Sequence, residues 1–144
     1  MNDMQDRIQD FLDGQPFAVV GASPRRHKYG NKVLRAYAQH GRPVFPVNPR
    51  EAEIEGLTAY PDLAALPETP HGVSFITPPA ATEAVVDQAL ELGITRLWMQ
   101  PGAEHPGAVE RARAAGANVI AGDACVLVVL GFDDSAGAER VFDR

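Results

Sequence analysis

Phe17-Ala18-Val19-Val20-Gly21-Ala22-Ser23-Pro24-Arg25-Arg26 runs from four apolar residues through a glycine into a cationic loop. An apolar run of that length closed by glycine reads as a short strand buried on both faces. The period then changes. Between Tyr29 and His40, Tyr29, Val33 and Tyr37 recur at every fourth position, as do Leu34 and Ala38, and Gly41 stops the pattern. A buried strand, a glycine turn and an amphipathic helix in that order open a βαβ unit.

The alternation continues outward. Val44-Phe45-Pro46-Val47 reads as the second strand, although proline is usually kept off central strands. Residues 51–70 are irregular, with a short strand expected over 57–60 and a turn of helix from Pro61. Val73-Ser74-Phe75-Ile76 is the third main strand. Thr77-Pro78-Pro79 starts a helix whose inner face carries Val85, Val86, Ala89 and Leu90. Arg96-Leu97-Trp98-Met99 is the fourth strand, a helix is expected over 104–115, and Val119-Ile120-Ala121 is the fifth strand. The apolar stretch 125–130 suits either a strand or a buried helix. At the N-terminal end, Met4, Ile8, Phe11 and Leu12 share one face of a helix over about 3–13, and the polar tail 133–144 is expected to be loosely held. The pattern predicts an α/β fold in one domain with its core at about 15–130. The expected architecture is a doubly wound, Rossmann-like parallel sheet of about five main strands, with helices on both faces.

Bulk properties narrow the function. The chain has 144 residues, 45% of them hydrophobic, which suffices for one domain with a real core. Thirteen Lys and Arg against nineteen Asp and Glu give a net charge of −6, so no general nucleic-acid partner is expected. The cations cluster once, at Arg25, Arg26, Lys28 and Lys32, which suits a small anionic ligand. Cys125 is the one cysteine, and His27, His40, His71 and His105 have no metal-ligand spacing, so neither an intrachain disulfide nor a metal site is expected. The polar N-terminus carries no signal peptide, and no apolar run nears the ~20 residues that span a bilayer. A cytoplasmic location without membrane association is therefore expected.

Doubly wound sheets bind ligands outside the carboxyl ends of their strands. That directs attention to residues 21–30, 48–51, 77–79 and 100–104. In the first loop, Gly21 permits close backbone approach, the following helix offers its N–H groups, and Ser23, Arg25, Arg26 and Lys28 supply a hydroxyl and full charges for phosphate. It is neither G-x-G-x-x-G, since Gly30 is too far from Gly21, nor a Walker A motif. In the second, Asn48 stands where an NAD enzyme would place an acid, and Arg50 beside it favours a phosphorylated ribose such as that of NADP or coenzyme A (CoA). An ordinary Asn-Pro turn explains the same residues equally well. Thr77-Pro78-Pro79 could wall a ligand or simply start a helix, Gln100 would point its amide into the crevice, and Glu104 suits either a helix dipole or an acid–base role. No catalytic constellation emerges.

Four segments taken together carry a resemblance: 19–24, 44–49, 56–63 and 97–102. Val19-Val20-Gly21-Ala22-Ser23-Pro24, Val44-Phe45-Pro46-Val47-Asn48-Pro49, Gly56-Leu57-Thr58-Ala59-Tyr60-Pro61-Asp62-Leu63 and Leu97-Trp98-Met99-Gln100-Pro101-Gly102 resemble the stand-alone CoA-binding domain family. That family is similar to the CoA-binding N-terminal domain of the succinyl-CoA synthetase alpha subunit. The resemblance spans about 15–126 and implies CoA or an acyl-CoA as ligand; the absence of a catalytic constellation adds the expectation of binding without chemistry by this chain. It implies that Gly21, Ala22, Ser23, Arg25 and Arg26 meet the phosphates. Asn48, Pro49 and Arg50 would lie near the adenosine, and Thr77, Pro78 and Gln100 along the pantetheine. Many members carry Asp-Arg-Cys where this chain has Asp123-Ala124-Cys125. The ligase domain of the synthetases, with its phosphorylatable histidine, is not expected here. The rival readings are an NADP- or CoA-dependent enzyme using Glu104 or Cys125, and a redox-sensing or interaction module. A homo-oligomer or a larger acyl-CoA enzyme would be the protein partner.

Overall fold

The computed structural model describes residues 3–122 and 124–135. Among these residues are seven strands and five α-helices. The strands are β1 (Phe17–Val20), β2 (Val44–Val47), β3 (Glu53–Ile54), β4 (Leu57–Thr58), β5 (Gly72–Phe75), β6 (Arg96–Met99) and β7 (Asn118–Ile120). The helices are α1 (Asp3–Leu12), α2 (Tyr29–Gln39), α3 (Pro79–Glu91), α4 (Pro106–Ala114) and α5 (Val126–Leu130). Five strands form one parallel sheet in the order β2-β1-β5-β6-β7, with β1 in register against both β2 and β5. Because side chains alternate along a strand, β1 feeds two cores. Phe17 and Val19, with Trp98 and Ile120, pack against Phe11 of α1, Val33 and Tyr37 of α2 and Val126 of α5. Ala18 and Val20, with Phe75 and Met99, pack against Val86 and Ala89 of α3 and Ala108 and Ala112 of α4. This is the doubly wound α/β sandwich expected from the alternation.

The details that differ have local causes. Pro46 sits within β2, opposite Val19, and its carbonyl accepts from Tyr60 N–H at 3.0 Å on the side away from β1. The missing N–H therefore faces the outer rim, where the ladder to β1 loses nothing. Segment 51–70 holds a β3–β4 hairpin, a one-residue parallel bridge from Tyr60 to Val47, and a 3-10 turn at Leu63–Ala65 capped by Asp62. The helix expected over 104–115 begins only at Pro106, because the His105 side chain caps it by accepting from Ala108 N–H at 3.1 Å. Glu104 lies outside the helix, and its carboxylate accepts from Gly102 N–H at 2.7 Å. Stretch 125–130 is helical, but only Val126 is buried and Val128 is 79% exposed.

The start of the polar tail is fastened rather than loose. Gln39 donates to the Asp133 carbonyl at 2.6 Å and accepts from the Asp133 N–H at 3.0 Å. Asp123 and residues 136–144 lie outside the described residues. Among the described residues, no helix is long and apolar enough to cross a membrane, and no group of three His, Cys, Asp or Glu is placed to hold a metal ion.

Candidate functional site

The loops following β1 and β5 meet where the strand order reverses direction, which is the ligand edge of such sheets. Two glycines allow that meeting. Gly21 has φ +91°, and a Cβ there would run into the Ile76 carbonyl of the β5–α3 loop. A Cβ on Gly30, in the first turn of α2, would run into the Gly21 carbonyl. Gly30 thus lets the helix pack onto the loop, the service given by the last glycine of a dinucleotide fingerprint, at a longer spacing. Sequence spacing alone hid this.

The cationic loop is built on hydrogen bonds. Ser23 Oγ accepts from Arg25 N–H at 3.1 Å, leaving the Arg25 side chain exposed. Lys28 precedes α2 without a side-chain cap, and within the first turn the Asn31 N–H turns back to the Lys28 carbonyl at 3.1 Å. Arg26 is used differently from Arg25. Its Nε and Nη2 donate to the Glu55 carboxylate at 3.1 and 3.2 Å. Asn31 Nδ2 donates to the same carboxylate at 3.1 Å and to the Ser23 carbonyl at 2.9 Å.

Glu55 sits at φ +53°, before Gly56 at φ +79°, as the two-residue turn of the β3–β4 hairpin requires. Burial opposes its ionisation. The hydrogen bonds from Arg26 and Asn31 and the charges of Arg26 and Arg35 outweigh that and hold its carboxyl below the usual range. A depressed folded pKa stabilises the protein fully above the unfolded value, ~4.3, and the gain fades as pH falls through the folded one. Glu55→Gln should therefore flatten the acid limb of a Tm-against-pH curve below about pH 5. An acid limb identical to that of the parent would show that the carboxylate contributes nothing there.

Asn48 spends both ends of its amide within the protein. Nδ2 donates to the Ala22 carbonyl at 2.9 Å, and Oδ1 accepts from the N–H groups of Arg50 and Glu51 at 2.7 and 3.1 Å. It ties the β2 end to the first loop, while Pro49 and Arg50 stand exposed beside it.

Thr77, Pro78 and Gln100 come together in a cleft of about 490 Å³, with Tyr29, Ile76, Cys125 and the 101–103 turn. A volume of that order suits a small ligand. Gln100 is buried. Its Oε1 accepts from Val126 N–H at 2.8 Å and its Nε2 donates to Cys125 Sγ at 3.4 Å. Trp98 Nε1 donates to the Ala124 carbonyl at 3.0 Å. These three bonds fasten the start of α5 to the end of β6. Thr77 Oγ1 is paired with Thr82 Oγ1 at 2.6 Å. Among the described residues, the cleft wall bears hydroxyl, amide and thiol groups but no charged side chain. Charge is concentrated instead on the first loop. Tyr29 and Cys125 were not singled out for binding from the sequence. Tyr29 occupies the helix N-terminus that the loop leads into, which was the available signal. Cys125 lies where an apolar run suggested an interior position.

Comparison with known proteins places this geometry in a family. Over 71 residues the chain is 31% identical to acetate–CoA ligase (ADP-forming) I of Archaeoglobus fulgidus, covering 49% of this chain and 10% of that protein. The chain thus spans about a tenth of that relative's length. A conserved hypothetical protein of Pyrococcus furiosus is similar in structure, with TM-score 0.76 and 37% identity over 81% of this chain and 99% of that one. A Thermus thermophilus protein, described as cell-free ID.343, superposes with TM-score 0.79 and 28% identity, covering 99% of this chain and 100% of that one. Residues 15–131, which include every loop described above, match the family described as the CoA binding domain, and the chain belongs to that family.

Proposed function

We propose that this chain binds CoA or an acyl-CoA across the carboxyl ends of β1, β5 and β6, and acts as a binding module without performing a reaction itself. The observation that carries this is the division of the site into two parts. An uncharged cleft of about 490 Å³ suits a pantetheine arm, and a cationic loop at an uncapped helix N-terminus suits the phosphates. The Gly21-Ala22-Ser23 backbone and Arg25 meet the diphosphate, with Arg26 holding the loop through Glu55. Asn48, Pro49 and Arg50 border the adenosine end. Thr77, Pro78 and Gln100 line the arm, whose thiol end approaches Cys125. Family membership and the uncharged wall support this reading.

Titration calorimetry with CoA, acetyl-CoA, NAD and NADP tests it. Heat with the CoA species and none with NAD is expected. Absence of both heat and thermal shift with every CoA species would overturn the proposal. Arg25→Ala removes an exposed cation and should weaken CoA by ~1.5–3 kcal/mol, roughly tenfold or more, with the fold intact. Unchanged affinity would move the phosphates away from this loop.

A further inference from the structure

Arg35 is wholly buried in α2, yet its ionic partner Asp134 is 64% exposed. Burying a guanidinium is costly unless each donor is met, and here the fork reaches three separate segments. Nε donates to Asn31 Oδ1 at 2.6 Å, and Nη2 to the Arg26 carbonyl at 3.0 Å. Nη1 donates to the Asp134 carbonyl and Nη2 to its carboxylate, both at 3.0 Å. The Phe132 ring lies 5.0 Å from the guanidinium carbon.

These contacts act on the cationic loop from beneath. Arg35 holds the Arg26 carbonyl directly, and it orients Asn31, which holds the Ser23 carbonyl. Two acceptor oxygens are thereby turned toward α2. A loop that receives an anion needs its carbonyls turned away from that anion. The same side chain grips the 132–135 segment, which continues from α5, and α5 begins beside cleft residue Cys125. One stretch of chain thus runs from the cleft to the underside of the loop.

We propose that Arg35 is a positioning residue for the CoA diphosphate: it draws the carbonyls of the 23–26 loop inward and links diphosphate binding to the ordering of residues 132–135. This rests on the CoA reading above. A lysine keeps the charge but, as a point donor, cannot serve the loop, Asn31 and Asp134 together. The test compares parent and Arg35→Lys for binding of CoA, of its nucleotide half (3′-phosphoadenosine 5′-diphosphate) and of pantetheine, by calorimetry and ligand-observed NMR. Arg35→Lys should weaken CoA and the nucleotide half tenfold or more and leave pantetheine unchanged. Equal losses for both halves, or none for either, would overturn the inference while leaving the CoA reading intact. A parent protein that binds no CoA would end both. Should Arg35→Lys not fold, amide exchange in the parent decides: the nucleotide half should slow exchange over residues 131–135, and unchanged exchange there would overturn the link.

Discussion

Gly21→Ala is expected to destabilise the protein by roughly 2–4 kcal/mol and to abolish tight CoA binding in whatever fraction still folds. Two independent penalties add. The residue sits at φ +91°, where an L side chain is strained, and the new methyl would overlap the Ile76 carbonyl. That carbonyl is backbone of the loop between β5 and α3, where the Ile76 N–H is held by the Val20 carbonyl at 2.9 Å, and it cannot swing aside as a flexible side chain would. Relief requires the two loops at the ligand edge to separate, which displaces Thr77 from the cleft. Gly30→Ala is the informative companion. Alanine in a helix normally gains about 1 kcal/mol over glycine, so a helix-propensity argument predicts stabilisation. The overlap with the Gly21 carbonyl predicts the opposite sign. Denaturant titration of both variants checks this, and a stabilised Gly30→Ala would refute the close packing of α2 on the loop.

Trp98→Ala should cost ~3–5 kcal/mol, the range for emptying a large aromatic site in a core. Trp98 is fully buried on β6, with its ring edge-on to Phe11 at 5.2 Å, and Phe11 in turn stacks on Phe17 at 5.4 Å. The substitution also removes the donor that holds the Ala124 carbonyl. Stability and ligand binding should therefore fall together, because the 124–126 segment carries Cys125 into the cleft. Trp98→Phe separates the two effects. It keeps most of the packing and loses one hydrogen bond, so its thermodynamic cost should be nearer 1 kcal/mol while the Ala124 anchor is still gone. If Trp98→Ala proved as mild as Trp98→Phe, the ring would not be the keystone of that core.

The main strands could be read because each is a short, largely apolar run with a glycine or proline within three residues of its end, and Phe17–Val20 and Leu97 to Met99 are buried throughout. The loops could be placed because strand ends fix them. What could not be read depends on contacts distant in sequence. Nothing local pairs Arg35 with Asp134, which lies ninety-nine residues away and supplies its ionic partner. Glu55-Gly56 is a weak turn signal, and two-residue strands carry no period, so neither the hairpin nor its grip on Arg26 was legible. Asn31 and Arg35 are four apart on α2 and share a face with the buried Leu34 and Ala38, and that spacing was the available clue. Asn48 shows a different difficulty. Its residue type suits a ribose, but the Ala22 carbonyl and the two following N–H groups occupy its amide.

Pro46 bears on how this protein behaves when crowded by its own copies. An open sheet rim recruits passing chains by offering alternating donors and acceptors. On the β2 rim the proline removes a donor, and the Tyr60 N–H already occupies the Pro46 carbonyl while the Tyr60 carbonyl takes the Asn48 N–H. A passing chain meets an interrupted ladder there, so the β2 rim resists the strand-on-strand growth that leads to fibres.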